Sequence, residues 1–378
     1  MRNDATTSAE LRAYNLARLL RAVHDGAGQH TRAELTRQLG LARGTATVLV
    51  RELAGRQLIE ELPLAPSGEQ RARGRPTGVP AANPKGPVAL AVDLRDDSFM
   101  IAAFELTGRG TVLDQQEQGS LGQVAASLRK HRADLDGRVI GVGVAVPSPV
   151  TGGKMMLSDG PDIAGLLDTG YVGNDATLAG LAEARRGVLR GVSVALHLHV
   201  ATGIGGVLLT GGQPVAGARG AAGEFGHMPL TGGTEPCRCG ATGCWELDAG
   251  APRLLREAGL PSDTGDRVAA AAQVIKDGTH RAAVAHVAAS LGRGIGALVN
   301  AHDPEAVALS GLAASVLEAA PEVVQEAYLA ALMRFRRTSP PALLPSSLGD
   351  IGTLTGAAEL VFDAFLTARG LAAWEKIT

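Results

Sequence analysis

The stretch GAAGEFGHMPLTGGTEPCRCGATGCWE, residues 220–246, contains every cysteine of this 378-residue chain. The three cysteines lie within eight positions, at Cys237, Cys239 and Cys244. Gly240 and Gly243 allow the chain to wrap tightly, so Cys239 and Cys244 can face the same ion. Three thiolates with one imidazole form a closed donor set of the kind that structural zinc prefers. The cluster therefore predicts Zn²⁺, with a redox pair or inert thiols as alternatives, and spacing alone leaves the role of His227 open.

The cysteine count also indicates the compartment. An odd number of clustered cysteines is no disulfide framework for a chain of this length, and it favours a reducing cytoplasm. No run approaches the roughly 20 apolar residues that cross a bilayer, and the amino terminus lacks the uninterrupted apolar segment of a signal peptide. Hydrophobic residues make up 45% of the chain and aromatic residues 3%, which excludes general disorder and disfavours a base-stacking RNA platform.

Residues 9–80 show the spacing of a winged helix-turn-helix. Apolar residues recur at helical spacing over 9–24, and Thr31 and Glu34 form a capping box that starts a second helix. Gly40 is suited to end that helix, because glycine adopts a left-handed conformation at low cost. A third helix is predicted over 43–53, with an inward face formed by Val48, Leu49 and Leu53.

The outward face of the third helix is polar, as DNA recognition requires. Such a helix lies in the major groove, where small polar residues reach base edges and arginines reach phosphates. Residues 58–62 are predicted as one strand of a hairpin wing with its tip at 63–68, and an extended basic run follows. The candidate DNA-binding residues are Arg43, Thr45, Thr47, Arg51, Arg73 and Arg75.

Charge is distributed unevenly along the chain. Residues 1–80 hold 12 Arg and 8 acidic residues, a net +4, whereas the remaining 24 basic and 30 acidic residues give −6. The basic end favours a double-stranded DNA partner. A small structural three-helix bundle with a solvated charged face is the alternative for the same pattern.

The rest of the chain has an α/β pattern. Short apolar, β-branched runs predict a β-meander that begins at Val88, and further strands at 138–146 and 194–201 alternate with helical patterns. This predicts two α/β lobes over 88–378, joined to the amino-terminal domain by a proline-rich linker at 81–87.

The helix-turn-helix, Glu224-Phe-Gly-His227 and the C-x-C-G-x-x-G-C-x-E run together resemble the ROK family (repressor, open reading frame, kinase) over essentially the whole chain. The resemblance implies an actin-like, ribonuclease-H-type sugar-kinase body, and zinc ligands at His227, Cys237, Cys239 and Cys244. It also implies that Asp175 corresponds to the general base of members that phosphorylate sugars. The implied sugar-binding residues are Asn174, Asp175, Glu224, His227 and Glu246, for which a buried polar network around the metal is the alternative.

Two turns depart from the pattern of the active enzymes in this family. The phosphate turn after the first strand reads Asp93-Leu94-Arg95-Asp96-Asp97-Ser98, in which acidic side chains would repel a polyphosphate. The second nucleotide turn is reduced to Ser310-Gly311-Leu312, and the isolated glycine run at 202–206 is weak evidence because it can form a tight hairpin. The segment 151–173 is also shorter than the resemblance implies, which puts a compact sugar pocket in doubt.

These features together predict a cytoplasmic DNA-binding repressor whose kinase-like body has no catalytic residue and no ATP. It is expected to act as a homodimer or homotetramer on an operator and to respond to a sugar or sugar derivative. The alternative is a ROK-type kinase that phosphorylates a hexose or an N-acyl amino sugar. A protein that docks another polypeptide is a third class, which no residue supports or excludes.

Overall fold

A computed structural model describes residues 7–26, 28–63, 78–95, 98–117, 119–151, 154–156, 162–263 and 265–374. The chain divides into two compact units. The first comprises Met1–Val144, Ile163–Tyr171 and Ala357–Thr378, and the second comprises Ala145–Asp162 and Val172–Gly356. The fold is mixed α/β, as the sequence predicts.

The first unit begins with three helices and a two-stranded sheet. A capping box starts α1 (Ser8–Asp25) at Thr7, and the predicted capping box at Thr31 and Glu34 starts α2 (Arg32–Gln38). Gly40 follows α2 with φ +65°, the left-handed conformation that the sequence indicates. After α3 (Arg43–Gly55), β1 (Ile59–Leu62) pairs antiparallel with β2 (Val79–Ala82).

The second strand of this hairpin lies further along the chain than a tip at 63–68 would place it. Its last two residues, Ala81 and Ala82, fall within the segment predicted as linker. Residues 64–77, which include the candidate DNA-binding residues Arg73 and Arg75, lie outside the described residues.

One side chain of α3 faces the opposite way from the sequence prediction. The buried face of α3 consists of Ala46, Leu49, Val50 and Leu53, whereas Val48 is 49% exposed. Successive helical residues are rotated by about 100°, so Val48 is turned outward once Leu49 and its helical neighbours pack inward. The prediction of an inward Val48 was wrong.

The body of the first unit is a five-stranded sheet in the order β5-β4-β3-β6-β9. The predicted meander forms its antiparallel half, in which β4 pairs with both β3 and β5. Every residue of β3 is buried, including the carboxyl-bearing Asp93. The strands are β3 (Val88–Leu94), β4 (Phe99–Glu105), β5 (Gly110–Gln116), β6 (Val139–Val146) and β9 (Tyr171–Asn174).

The second unit has its own five-stranded sheet, in the order β12-β11-β10-β13-β14. Its central strand β10 pairs antiparallel with β11 and parallel with β13, which in turn pairs parallel with β14. The strands are β10 (Val194–Val200), β11 (Ile204–Thr210), β12 (Gln213–Pro214), β13 (Ala306–Gly311) and β14 (Ala342–Pro345), and a short hairpin is formed by β7 (Val150–Thr151) and β8 (Lys154–Met155).

The remaining described helices are α4 (Leu121–Asp134), α5 (Ile163–Leu166), α6 (Asp175–Arg186), α7 (Glu246–Ala249), α8 (Ala251–Glu257), α9 (Arg267–Asp277), α10 (Arg281–His302), α11 (Leu312–Ala319), α12 (Pro321–Ala331), α13 (Gly352–Phe365) and α14 (Ala368–Trp374). Short 3₁₀ turns occupy Phe225–His227, Arg334–Thr338 and Gly349–Ile351. By length and composition α10 could cross a bilayer, but its apolar window is 67% buried inside the protein, as expected of a core helix.

Packing against α10 fixes the cysteine segment in the second unit. Trp245 is fully buried, its ring lies against Gly294 of α10, and its Nε1 donates to the Ser290 carbonyl at 3.2 Å. A side chain at position 294 would overlap the indole. Because Trp245 stands between Cys244 and Glu246, this contact holds both neighbours in place.

Candidate functional site

The four residues of the predicted zinc site come together in the second unit. One ligand atom from each of His227, Cys237, Cys239 and Cys244 lies within 4.8 Å of the others. His227 ends the 3₁₀ turn Phe225–His227, and Gly240 and Gly243 adopt positive φ between and beside the cysteines. The loop closes through backbone hydrogen bonds from Cys237 N to Ala241 O and from Gly240 N to Cys237 O.

The spacing of the donor atoms fits tetrahedral coordination. His227 Nδ1 lies 3.5 Å from Cys237 Sγ, and Cys239 Sγ lies 3.6 Å from Cys244 Sγ. Ligands about 2.3 Å from a tetrahedral zinc are separated from one another by about 3.7 Å. Cys237 and Cys244 are buried, while Cys239 is exposed. These residues form a candidate Cys₃His metal site of the type that structural zinc occupies.

Burial and backbone contacts act differently on the three thiols. Burial raises the pKa of Cys237 to about 12 and also raises the pKa of Cys244. The backbone N–H of Ala241 lowers the pKa of Cys239. Two buried thiolates need a compensating positive charge, which a divalent cation would supply.

The imidazole of His227 lies between the cysteines and two glutamates. Its Nδ1 faces Cys237 and Glu246, and its Nε2 faces Glu224. Its Nδ1, which points to Cys237, lies 3.6 Å from Glu246 Oε1, and its Nε2 lies 3.9 Å from Glu224 Oε2. Glu246 also accepts from the Cys237 thiol at 3.3 Å. His227 therefore links the candidate metal site to the two glutamates implied in sugar binding.

Asn174 and Asp175 lie where β9 passes into α6. Asn174 caps the helix, because its Oδ1 accepts from Thr177 N at 3.0 Å, while its Nδ2 donates to Asp175 Oδ1 at 2.9 Å. The same Asp175 oxygen accepts from Ala176 N at 2.7 Å. These bonds fix Asp175 in the first turn of α6, where the helix dipole stabilises a carboxylate.

The carboxyl groups of this region influence one another. Burial raises the pKa of Glu224, the neighbouring His227 opposes that rise, and the charges of Asp175 and Glu246 add to it. All five residues implied in sugar binding thus lie within one electrostatically connected cluster of the second unit. Arg238, which the sequence analysis does not identify, approaches Glu246 with its Nε 3.9 Å from Oε1.

Glycines beside this cluster serve close packing. A Cβ at Gly205 would lie 2.5 Å from the Ala176 Cβ, and one at Gly206 would lie 2.7 Å from the Phe225 ring. The run at 202–206 forms a tight hairpin in which Val200 faces Ile204. Close approach between β11, α6 and the 3₁₀ turn accounts for these glycines without a bound phosphate.

The turn after β3 holds an internal ion pair in the first unit. Arg95 Nε donates to Asp93 Oδ2 at 3.0 Å, and Asp93 is only 4% exposed. Backbone N–H of Arg95 donates to the Ser98 carbonyl at 2.9 Å. Asp96 and Asp97 lie outside the described residues. In the second unit, Ser310 Oγ of the other predicted nucleotide turn lies 2.9 Å from His199 Nδ1.

Three of the four candidate DNA-binding residues of α3 lie in its amino-terminal half, and Arg51 follows in the second half. Arg43, Thr45 and Arg51 are exposed and Thr47 is half-buried. The Thr47 hydroxyl donates to the Arg43 carbonyl at 3.0 Å, so its hydrogen is used within the helix. The four residues share one helix, and the structure describes three of them as open to solvent.

The known proteins that resemble this chain include sugar kinases and transcriptional repressors. The sequence model of the ROK family matches residues 115–364. A glucokinase of Halalkalibacterium halodurans is 34% identical over 158 residues, which are 37% of this chain and 48% of the enzyme. The xylose repressor of Bacillus subtilis is 27% identical over 52% of this chain and 51% of the repressor. The chain thus matches about half the length of these curated relatives.

A solved structure has the same fold over nearly the whole chain. The crystal structure of a ROK family transcriptional regulator, a homologue of the E. coli MLC protein, superimposes with a TM-score of 0.73 at 23% identity. The match covers 97% of this chain and 100% of that one. With two thirds of its length matched by the family's sequence model and with this fold, the chain belongs to the ROK family.

Proposed function

We propose that this chain is a cytoplasmic DNA-binding transcriptional repressor whose ROK body binds a sugar or sugar derivative and structural zinc. The observation that carries the proposal is the amino-terminal segment: three helices, of which α1 and α2 begin at capping boxes, followed by two antiparallel strands, with polar residues of α3 exposed to solvent. This order of elements is that of a winged helix-turn-helix domain, in which α3 would enter the major groove.

The similarity to known regulators supports this proposal. The solved ROK regulator matches nearly the full chain, including the amino-terminal elements, and the xylose repressor is among the curated relatives. Two copies of the domain, about one helical turn of DNA apart, would read a palindromic operator, so we propose a homodimer or homotetramer.

The sugar assignment rests on the carboxylate cluster. Asn174, Asp175, Glu224, His227 and Glu246 offer amide, imidazole and carboxylate groups that can share hydrogen bonds with vicinal hydroxyls. A zinc ion held by His227 and the cysteines would fix the His227 ring, and through it the neighbouring glutamates. Such an ion has no open coordination position and would act structurally.

The salt dependence of DNA binding tests the role of α3. Arg43→Ala or Arg51→Ala should each weaken binding and lower the slope of log K against log salt by about one per half-site. Arg334→Ala, at an exposed position in the second unit, is the matched control and should leave the slope unchanged. Selection of bound genomic fragments with and without candidate sugars would report operator and effector together. No DNA binding at any salt concentration would refute the proposal.

A ROK-type sugar kinase is the second candidate, favoured by the position of Asp175 and by the kinases among the relatives. Asp175 is held in the first turn of α6, as a general base for a sugar hydroxyl would be, and glucokinase is a relative. Against it stands the turn after β3, where Arg95 pairs with the carboxylate of Asp93. A coupled assay of ATP consumption across hexoses and N-acyl amino sugars decides between them, since sugar-dependent turnover would establish the kinase.

A further inference from the structure

The outward face of α3 carries one apolar side chain among polar ones. Val48 is 49% exposed. Its neighbours one helical turn away on the same face are Gly44, Thr45, Arg51 and Glu52. The packing of the three helices does not use it, because the buried contacts of α3 come from Ala46, Leu49, Val50 and Leu53. A methyl-bearing surface therefore stands in the middle of the proposed DNA-binding face.

Gly44 leaves open space beside the helix at this position. Apart from its chain neighbours and the helix's own backbone, a Cβ built at Gly44 would have no heavy atom within 4 Å, so no tertiary packing requires a glycine there. Glycine inside a helix costs about 1 kcal/mol relative to alanine. This glycine lowers helix stability and is not needed for packing inside the protein. It is therefore suited to let an external group approach the backbone closely.

The polar groups nearby restrict what Val48 can recognise. The Thr47 hydroxyl hydrogen is committed to the Arg43 carbonyl, and Glu52 is paired with Arg12 at 2.6 Å. Both groups are thus already engaged within the protein. In the major groove, the one apolar group that a base edge offers is the C5-methyl of thymine.

We propose that Val48 is a specificity-determining residue that packs against a thymine C5-methyl group in each operator half-site, with Gly44 admitting that base edge to the helix. The inference rests on the proposed DNA-binding function and deepens it, because it assigns the chemistry by which α3 distinguishes one base. Arg43 and Arg51 would supply affinity through phosphates, whereas Val48 would supply selectivity.

The test removes the thymine C5-methyl and the methyl groups of Val48 separately. A site is first selected from random duplex DNA with the wild-type protein, and each thymine is then replaced singly by deoxyuridine, which deletes only the C5-methyl. At one symmetric pair of positions, the replacement should lower the affinity of the wild-type protein about fourfold per half-site. Burial of one methyl group changes an equilibrium constant by about this factor. With Val48→Ala, the same replacement should change affinity less than about 1.5-fold, as expected if the two groups are coupled.

Two further variants keep this result interpretable. Val112→Ala makes the same change at a strand position of similar exposure, 45%, and should retain the full deoxyuridine effect. Val48→Thr preserves the side-chain shape, and both Val48 variants should leave the salt slope of binding unchanged because no charge is altered.

Failure of the inference and failure of the proposed function give different results. If the wild type binds a selected site but no deoxyuridine replacement weakens binding, or the effect is equal in Val48→Ala, the Val48 contact is refuted and the DNA-binding function stands. If the wild type selects no DNA, the function and the inference both fall.

Discussion

His24 of α1 and Glu359 of α13 meet in the interior of the first unit, where Nε2 lies 3.2 Å from Oε2. The imidazole also contacts the Leu106 carbonyl through Nδ1 at 2.7 Å and lies 4.7 Å from the Phe362 ring, centroid to centroid. Both His24 and Glu359 are buried. The first helix is thus joined by polar contacts to a strand end and to a carboxy-terminal helix.

Removing His24 should destabilise the first unit. His24→Ala deletes a buried partner of Glu359 and leaves a cavity, so we expect a loss of about 3 kcal/mol in the free energy of unfolding, measured by urea titration. Arg21→Ala is the control, because its pair with Asp363 is partly exposed and should contribute no more than about 1 kcal/mol. Equal losses in the two variants would contradict a special role for the buried pair.

Substitution of one cysteine should release the metal. Cys239→Ser removes the exposed thiolate of the candidate site, and elemental analysis of the purified protein should show zinc falling from about one ion per chain to near zero. The melting temperature should fall with it. A wild-type protein free of zinc after purification without chelators would contradict the assignment.

The carboxylate cluster should control sugar affinity. Glu224→Gln keeps the side-chain size but replaces one acceptor oxygen, so we expect at least about a tenfold loss in the affinity for an effector sugar, measured by calorimetry. Glu235→Gln makes the same change on the exposed segment between His227 and Cys237 and should have no effect. Similar behaviour of both variants would show that Glu224 does not contact the sugar.

Acid should unfold the second unit partly through His197. Burial, aided by the charge of His199, lowers the pKa of His197 to about 3. The unfolded chain binds this proton near pH 6.5, so stability falls as pH decreases from 6.5 towards 3, by about 1.4 kcal/mol per unit. Urea titrations at pH 7, 6 and 5 should show a shallower decline for His197→Leu. His30→Leu, at an exposed position, should follow the wild type.

Gly44→Ala should separate stability from DNA affinity. The added methyl meets open space in the free protein and raises helix propensity, so thermal unfolding should show a gain of up to about 1 kcal/mol. DNA binding should weaken because the methyl occupies the space left for a base edge. Stabilisation with unchanged DNA affinity would show that α3 does not approach the groove at this residue.

Local chemistry made several elements predictable. The capping box at Thr31, the left-handed Gly40 and the meander from Val88 follow from nearest neighbours in sequence, and the structure reproduces each. The cysteine cluster was predictable because its ligands are close in sequence. Val48 was placed wrongly because three adjacent apolar residues leave the inward direction of a short helix undecided until Ala46 and Leu53 are packed.

Contacts between residues far apart in the sequence could not be predicted from local sequence patterns. Nothing near His24 indicates Glu359, and nothing near Trp245 indicates that Gly294 would receive its ring. These pairs depend on where entire helices pack in the assembled unit. The amino-terminal strand pair shows the same limit, since β1 pairs with a strand 17 positions beyond its end rather than across a short turn.

His24 and Glu359 are 335 positions apart in the sequence, so they leave the ribosome at very different times during synthesis. While a ribosome is still extending the chain, α1 has emerged long before its buried partner exists. A nascent chain can form the three amino-terminal helices, but the contact between His24 and Glu359 cannot form until residue 359 has left the exit tunnel. Premature termination upstream of that residue would release a polypeptide that retains all of α3 and lacks the buried carboxylate that His24 contacts.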